Sequence, residues 1–270
     1  MRRRRIWLLL GLAAALTFAN ISPLLWIALS GFKTRLEIFT LPPIIVPERL
    51  YLDNFTAIWA KNLPYLSNTL VVTVMATLGV LLVAIPAAFA LTVFRFRRKR
   101  SLEMWILSTR MMPPIAAALP FYLALRAVDM IDTRTGLVLI YIGVNLPFAI
   151  WLLTSFMRQI PAEVLEAARV DGCSWWQVLT RIAFPMGASG VATVAVFTAI
   201  FAWNELLLPL FLTNRAAKTF TVVLTEFQGQ TNTVWEQMAA GALIQIVPIV
   251  VMTFFIQRYI VSGLTLGAVK

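Results

Sequence analysis

Few side chains in this sequence can do covalent chemistry. Of its 270 residues one is cysteine, Cys173, and none is histidine. A single thiol makes no intrachain disulfide, and without imidazole there is no His-based zinc site, His general base or Cys-His nucleophile pair. No G-x-x-x-x-G-K-[ST] sequence occurs, so the chain has no P-loop with which to cradle ATP. No span offers a plausible nucleophile–base pair either, so a membrane enzyme is a distant reading. What remains is polar chemistry at unusual places. Glu163, Glu166 and Asp171 cluster with Ala167, Ala168 and Gly172, while Arg110, Asn145, Trp203, Asn204 and Glu205 fall within long apolar runs. Burying such groups in lipid is costly, which makes each a candidate for binding or transport.

Those residues must be held by membrane-spanning elements. The chain is 60% hydrophobic and 13% charged, with mean hydropathy +0.83. Soluble domains run at about 45–50% apolar and about 25% charged. A span needs about 20 mainly apolar residues, and six segments qualify: 6–31, 70–94, 102–125, 136–156, 187–212 and 238–260. The expected fold is all-α and polytopic, one transmembrane domain over 1–270. The third segment carries Arg110, Pro113, Pro114 and Pro120, so it predicts a kinked or broken helix.

The net charge of +11 reports orientation. With the N-terminus inside, the cytoplasmic connections hold fourteen basic residues: Arg2–Arg5, Arg95, Arg97, Arg98, Lys99, Arg100, Arg158, Arg169, Arg181, Arg258 and Lys270. Eight lie outside: Lys33, Arg35, Arg49, Lys61, Arg126, Arg134, Arg215 and Lys218. Such an excess sets both termini in the cytoplasm and removes the reason to expect nucleic acid. The first apolar run, about 25 residues, exceeds the usual 7–15 of a signal peptide, so it predicts a retained helix.

The connection from Phe32 to Asn68 is the longest outside, and Pro42, Pro43 and Pro47 argue against helix there. Tyr51–Ala60 reads as a short amphipathic helix with Leu52, Phe55 and Ile58–Trp59 on one side, either a surface loop or a ledge for a partner. The cytoplasmic connection 157–186 is more informative. Pro161 suits a first helical position and Gly172 the position after the end. Ser174 with Gln177 forms a capping box that restarts a second helix. The result is a helix, a glycine turn and a helix on the cytoplasmic face. Ala167 and Ala168 are small enough to admit another surface, and Glu163, Glu166 and Asp171 make that surface negative.

Glu166-Ala167-Ala168, Gly172 and Ile182-x-Phe184-Pro185 resemble the EAA-x3-G-x9-I-x-L-P signature of ABC importer permeases, with Phe184 in place of leucine. The chain is similar over nearly its whole length to the MalG-like carbohydrate branch. Asn68-Thr69-Leu70, Ile160-Pro161, Ala202-Trp203-Asn204-Glu205, Phe227-Gln228-Gly229, Gln257-Arg258-Tyr259 and the ending Gly263-Leu264-Thr265-x-Gly267-Ala268-Val269-Lys270 carry that likeness. The resemblance implies a permease in a bacterial inner membrane, forming half a pore with a second, MalF-like permease. It also implies a dimer of ATPase subunits, an external solute-binding protein and a carbohydrate, polyol or sugar-derivative substrate. ATP and Mg would sit on the ATPase, with no cofactor on this chain. The loop helix would be the coupling helix, with Glu166 docking in the ATPase, and the tail would reach between the ATPase subunits.

Asn145 lies about 13 Å into the fourth span and Glu205 about 27 Å along the fifth. Asn145 suits either a sugar hydroxyl or an interhelical hydrogen bond. Glu205, with Asn204 and Trp203, suits the pore mouth or a cation on the partner permease. Arg110 is expected to snorkel to the inner interface, and Trp151, Trp175 and Trp176 to act as interfacial anchors. A gradient-driven secondary transporter or channel is the alternative. It calls for paired intramembrane carboxylates and an inverted repeat, and the sequence offers only Glu205 and no clear repeat.

Overall fold

The computed structural model describes residues 2–229 and 233–266 and is helical, with an isolated antiparallel bridge between Gln228 and Thr233. The elements are α1 Arg2–Gly31, α2 Arg35–Phe39, α3 Asp53–Val93, α4 Lys99–Thr109, α5 Pro114–Ala127 and α6 Arg134–Met157. There follow α7 Ala162–Val170, α8 Trp175–Val178, a π-helical turn Leu179–Ala183, α9 Phe184–Met186 and α10 Ala188–Asn204. The chain continues through α11 Leu207–Leu212, α12 Phe220–Glu226 and α13 Trp235–Leu266.

Among the described residues, four stretches are long and apolar enough to cross a bilayer: Leu9–Gly31, Asp53–Val93, Arg134–Met157 and Trp235–Phe254. A fifth arises if the arms Trp175–Met186 and Ala188–Asn204, bent by 78°, are one span. The third expected span is broken between α4 and α5, where Pro113 and Pro114 stop the first half and start the second. Two expectations are corrected. The fifth span is not a continuous helix over 187–212, because it breaks at Glu205–Leu206. The helix at Tyr51–Ala60 is not separate either. It is the start of α3, which runs unbroken from Asp53, and only Ile58 of its apolar set is fully buried while Leu52 and Trp59 are exposed. Asp53, Asn54, Lys61 and Asn62 lower the hydropathy of that first stretch without stopping the helix.

The chain forms two compact units, Met1–Pro64 with Val223–Pro248, and Tyr65–Val222 with Ile249–Lys270. In the first, α1 exposes apolar side chains from Ile6 to Trp26, as expected of a surface meeting lipid or a partner. Asn54 Nδ2 donates to the carbonyls of Gly31 and Lys33 at 3.0 and 2.9 Å, which satisfies acceptors left over at the end of α1. Lys33 is buried over the Trp26 ring and donates to the Ile44 carbonyl at 2.6 Å. Burial pushes its pKa down, against an opposing pull from Glu37.

In the second unit one stripe of α3 forms the spine of the core. Val72, Ala76, Val80, Ala84, Ala88 and Leu91 recur at steps of four or three and are all buried. Small residues on that stripe let neighbouring helices approach closely. Leu137, Tyr141, Ala149, Leu153 and Met157 of α6 complete the core with residues of α7 and α10. A Cβ added to Gly190 would run into the Phe156 ring, so α10 and α6 pack at glycine distance.

Candidate functional site

The loop that carries the acidic cluster is built by local rules. Helix α7 starts at Ala162, one residue later than the sequence suggests, with Pro161 at the N-cap. It ends at a Schellman motif. The Cys173 N–H donates to the Ala168 carbonyl at 3.0 Å, and the Gly172 N–H to the Arg169 carbonyl at 3.1 Å. Gly172 has φ +84°, the left-handed conformation this motif needs. The next helix begins with the expected capping box: the Ser174 N–H donates to Gln177 Oε1 at 2.7 Å, and the Gln177 N–H to Ser174 Oγ at 3.3 Å.

The two faces of α7 then separate. Leu165 and Ala168 are buried in one cluster with Met157, Val178 and Leu179. Glu163, Glu166, Ala167 and Val170 form an exposed i, i+3, i+4, i+7 stripe, and Asp171 and Gly172 are exposed at its end. Val170 is 86% exposed, an apolar end to an otherwise acidic strip. Ala168 therefore supports the helix from beneath, and it does not share the approach surface with Ala167. Trp175, expected as an interfacial anchor, packs within the chain. Its ring meets Phe94 at 5.1 Å and Phe89 at 6.4 Å, with the Arg169 guanidinium 4.6 Å above it. Arg169 also donates to the Cys173 carbonyl, so this cation clamps the turn.

The intramembrane polar residues meet around a cavity of about 630 Å³. Its walls come from both broken spans and from α6: Arg110 and Pro114 at one break, Asn204, Glu205 and Leu206 at the other, and Gly143, Val144, Asn145 and Pro147 between them. Non-helical backbone at membrane depth is tolerated where it lines such a space. Pro147 removes one N–H from the α6 ladder, and Arg110 Nη1 donates to the nearby Val144 carbonyl at 2.8 Å. The same guanidinium lies 5.2 Å from the Phe201 ring and 5.8 Å from Phe148. Snorkelling of Arg110 is thus corrected, since its head turns inward to the middle of α6. The signal was the double proline just after it, which ends the helix that would have carried it outward.

Glu205 leaves α10 in extended conformation, φ −66° and ψ 122°, and Oε1 accepts from the N–H groups of Leu207 and Leu208 at 3.0 and 3.2 Å. It restarts the broken span and borders the cavity at the same time. Asn145 is buried, borders the cavity and donates to the Tyr141 carbonyl of its own helix at 2.9 Å. Asn204 lines the cavity while donating to the Ile200 carbonyl at 2.8 Å. Trp203 faces away: it is buried, and its carbonyl accepts from Thr221 Oγ1 at 3.2 Å.

A second clamp was not legible in the sequence. The Asp132 carboxylate accepts the N–H groups of Asn214, Arg215, Ala216 and Ala217 at 2.9–3.1 Å. Asn68 Nδ2 donates to the carbonyls of Ala216 and Lys218, and Asn68 Oδ1 accepts from Arg134 Nε at 2.6 Å. The 213–219 loop is therefore fixed from α3, through Asn68, and from the turn before α6, through Asp132. Burial pushes the Asp132 pKa up, but the four backbone donors together outweigh it and hold the group below its ordinary value.

Residues 80–265 match the family described as binding-protein-dependent transport system inner membrane component. The diacetylchitobiose uptake system permease protein DasC of Streptomyces coelicolor is 33% identical over 261 residues, covering 96% of this chain and 95% of its own. The trehalose transport system permease protein SugB of Mycobacterium tuberculosis is 36% identical over 233 residues, 84% of each. A chain from the crystal structure of a bacterial ABC transporter involved in the import of the acidic polysaccharide alginate superposes with a TM-score of 0.78. The match has 24% identity and covers 96% of this chain and 98% of that one. That last likeness is one of fold.

Proposed function

This chain belongs to the family of binding-protein-dependent transport system inner membrane components, and on that premise we propose that it forms half of a pore for a carbohydrate, polyol or sugar derivative. It is a membrane-embedded ABC permease subunit, and ATP hydrolysis belongs to a separate subunit. The gradient-driven reading falls with that membership. The names of its relatives, a diacetylchitobiose system and a trehalose system, support the sugar class. In this reading the other half of the pore is a MalF-like permease, a dimer of ABC ATPases grips α7, and an external binding protein delivers the solute. Both termini are cytoplasmic. The C-terminal tail, 267–270, lies outside the described residues.

The observation that carries the coupling assignment is the exposed stripe of Glu163, Glu166, Ala167 and Val170 on a helix whose other side is packed into the core. Force applied to that stripe acts on α3, α6 and α10 through Leu165 and Ala168. Glu166 then meets a cation or donor of the motor, while Asp171 and Gly172 shape the end of the helix. The solute passes along the cavity that Asn145, Asn204 and Glu205 border, with Trp203 packed behind it.

The test is the assembled importer in nanodiscs, with binding-protein-stimulated ATPase measured beside solute uptake. Glu166→Ala should lower both, by about tenfold or more for a lost charge-assisted contact at a partly buried site. Wild-type rates in both would remove the coupling assignment.

A further inference from the structure

Near the end of the second unit that carries α7, two neighbouring pockets differ in character and share residues. One is a shallow pocket of about 380 Å³ lined by Lys99, Arg100, Glu103 and Arg158. The other is a groove of about 110 Å³ between α4 and α6, lined by Leu91, Met104, Leu107, Ile150 and Trp151 among others. Glu103 and Arg158 belong to both, so the two adjoin at that ion pair. Three cations and one acid line the first. Arg158 Nη2 donates to Glu103 Oε1 at 2.6 Å, which cancels that acid and leaves Lys99 and Arg100 as surplus charge. Lys99 also donates to the Thr92 and Phe94 carbonyls at 3.2 and 3.4 Å, which pins it at the mouth. The groove is mainly apolar, with Thr154 and Ser155 also in its lining, and its outer edge is exposed: Met104 is 61% and Trp151 47% accessible.

We propose that these adjoining pockets bind one anionic phospholipid, its phosphate at Lys99 and Arg100 and a short stretch of one acyl chain along the α4–α6 groove. The occupant follows from the pairing of a cationic recess with a mainly apolar groove between the spanning helix α6 and the half-span α4. Basic recesses between such helices select lipid headgroups, and a free anion has no use for the groove. The positive charge of the connection Arg95–Arg100 as a whole serves orientation; Arg100 is distinguished from Arg97 and Arg98 because it alone of these lines the pocket. The bound lipid would wedge between α4 and α6, on the α4 side of the break at Arg110.

The test uses the purified full chain in detergent, offered equal amounts of phosphatidylglycerol and phosphatidylcholine and read by native mass spectrometry. Retained phosphatidylglycerol should exceed phosphatidylcholine. Arg100→Gln should lower that retention about fivefold, as for one arginine at a membrane surface, while Arg97→Gln leaves it nearly unchanged. Met104→Trp, which fills the groove from an exposed position, should lower it without touching any charge. Equal retention of the two lipids overturns the proposal. So does an Arg97→Gln loss as large as that of Arg100→Gln, which would mark a diffuse field. Displacement by excess inorganic phosphate also overturns it, since a small-anion site would then suffice.

Discussion

Arg110 Nη1 and the Val144 carbonyl are joined at 2.8 Å across the gap between a broken span and the middle of α6. The arginine sits where Pro113 and Pro114 end α4, and the carbonyl sits three residues before Pro147, so the bond ties a helix break to the stretch of α6 that Pro147 leaves one N–H short. Phe148 and Phe201 flank the guanidinium plane. Lysine keeps the charge but neither the planar face nor the directed fork. Arg110→Lys should therefore lower initial uptake by about tenfold, the loss expected for one charge-assisted bond, and Arg110→Ala should lower it further. Uptake into proteoliposomes, at matched complex assembly by size exclusion, checks this. A fully active Arg110→Lys importer would mean that the cation serves only to balance charge.

Asp132 gives a pH dependence with a definite sign. Its native pKa is depressed, because four backbone N–H groups favour the carboxylate more than burial opposes it. A depressed carboxyl contributes stability above its unfolded value, about 3.9, and loses it as pH falls through the lower native value. Hydrogen exchange at the amides of Asn214, Arg215, Ala216 and Ala217 should show protection that holds down to about pH 4 and fails below it. Asp132→Asn keeps one acceptor oxygen but turns an NH2 toward the remaining donors, so it should abolish the pH dependence and weaken the protection. Undiminished protection in that variant would mean the loop is held by Asn68 alone.

The coupling loop was legible because every signal in it is local. Pro161, Gly172 and the Ser174–Gln177 pair act within three residues of themselves, and the structure uses each at or next to its expected place. The cavity was only half legible. Hydropathy finds Asn145 and Glu205 as polar residues in apolar runs, but it carries no information about which helix each one faces. Arg110 reaches 34 residues along the chain to Val144, and Asp132 reaches more than 80 to its loop. No spacing rule sees such pairs. The break at Glu205 had a weak local trace, an acid four residues before Pro209, but the apolar run on either side overwhelmed it. Ala168 could have been placed from the period alone, since it sits three residues after Leu165 on the buried stripe.

Six crossings with both ends inside remain a topology to be measured. The fourteen-to-eight distribution of basic residues sets the expectation. Reporter fusions after Lys99, Gln159 and Lys270 should report cytoplasm, and fusions near Asp53 and Thr133 the exterior. The broken third and fifth spans make the outcome informative. If either were a re-entrant loop, the fusions on its two sides would report the same compartment, and the six-crossing topology would fail.

Gly172 offers the sharpest test of how the loop transmits force, because its cost is conformational and not steric. A Cβ at this position would have nothing within 4 Å, so a substitution there meets only the penalty of φ +84°. For alanine that is about 1–2 kcal/mol. Asparagine visits the left-handed region more readily and stands in for glycine after helices, so it should cost less. Proline fixes φ at about −65°, and it also deletes the N–H that Gly172 donates to the Arg169 carbonyl, so both parts of the turn fail. If α7 transmits force as a rigid lever, its aim depends on this turn, and solute moved per ATP hydrolysed should fall in the order glycine, asparagine, alanine, proline. Restoring the first turn of α8 matters separately: Ser174→Ala removes a cap worth about 1 kcal/mol without altering φ at Gly172. It should loosen α8 and spare the ratio more than Gly172→Pro does. The same ratio for alanine and proline as for glycine would show that α7 couples through contact with the motor alone, with the turn merely joining two helices.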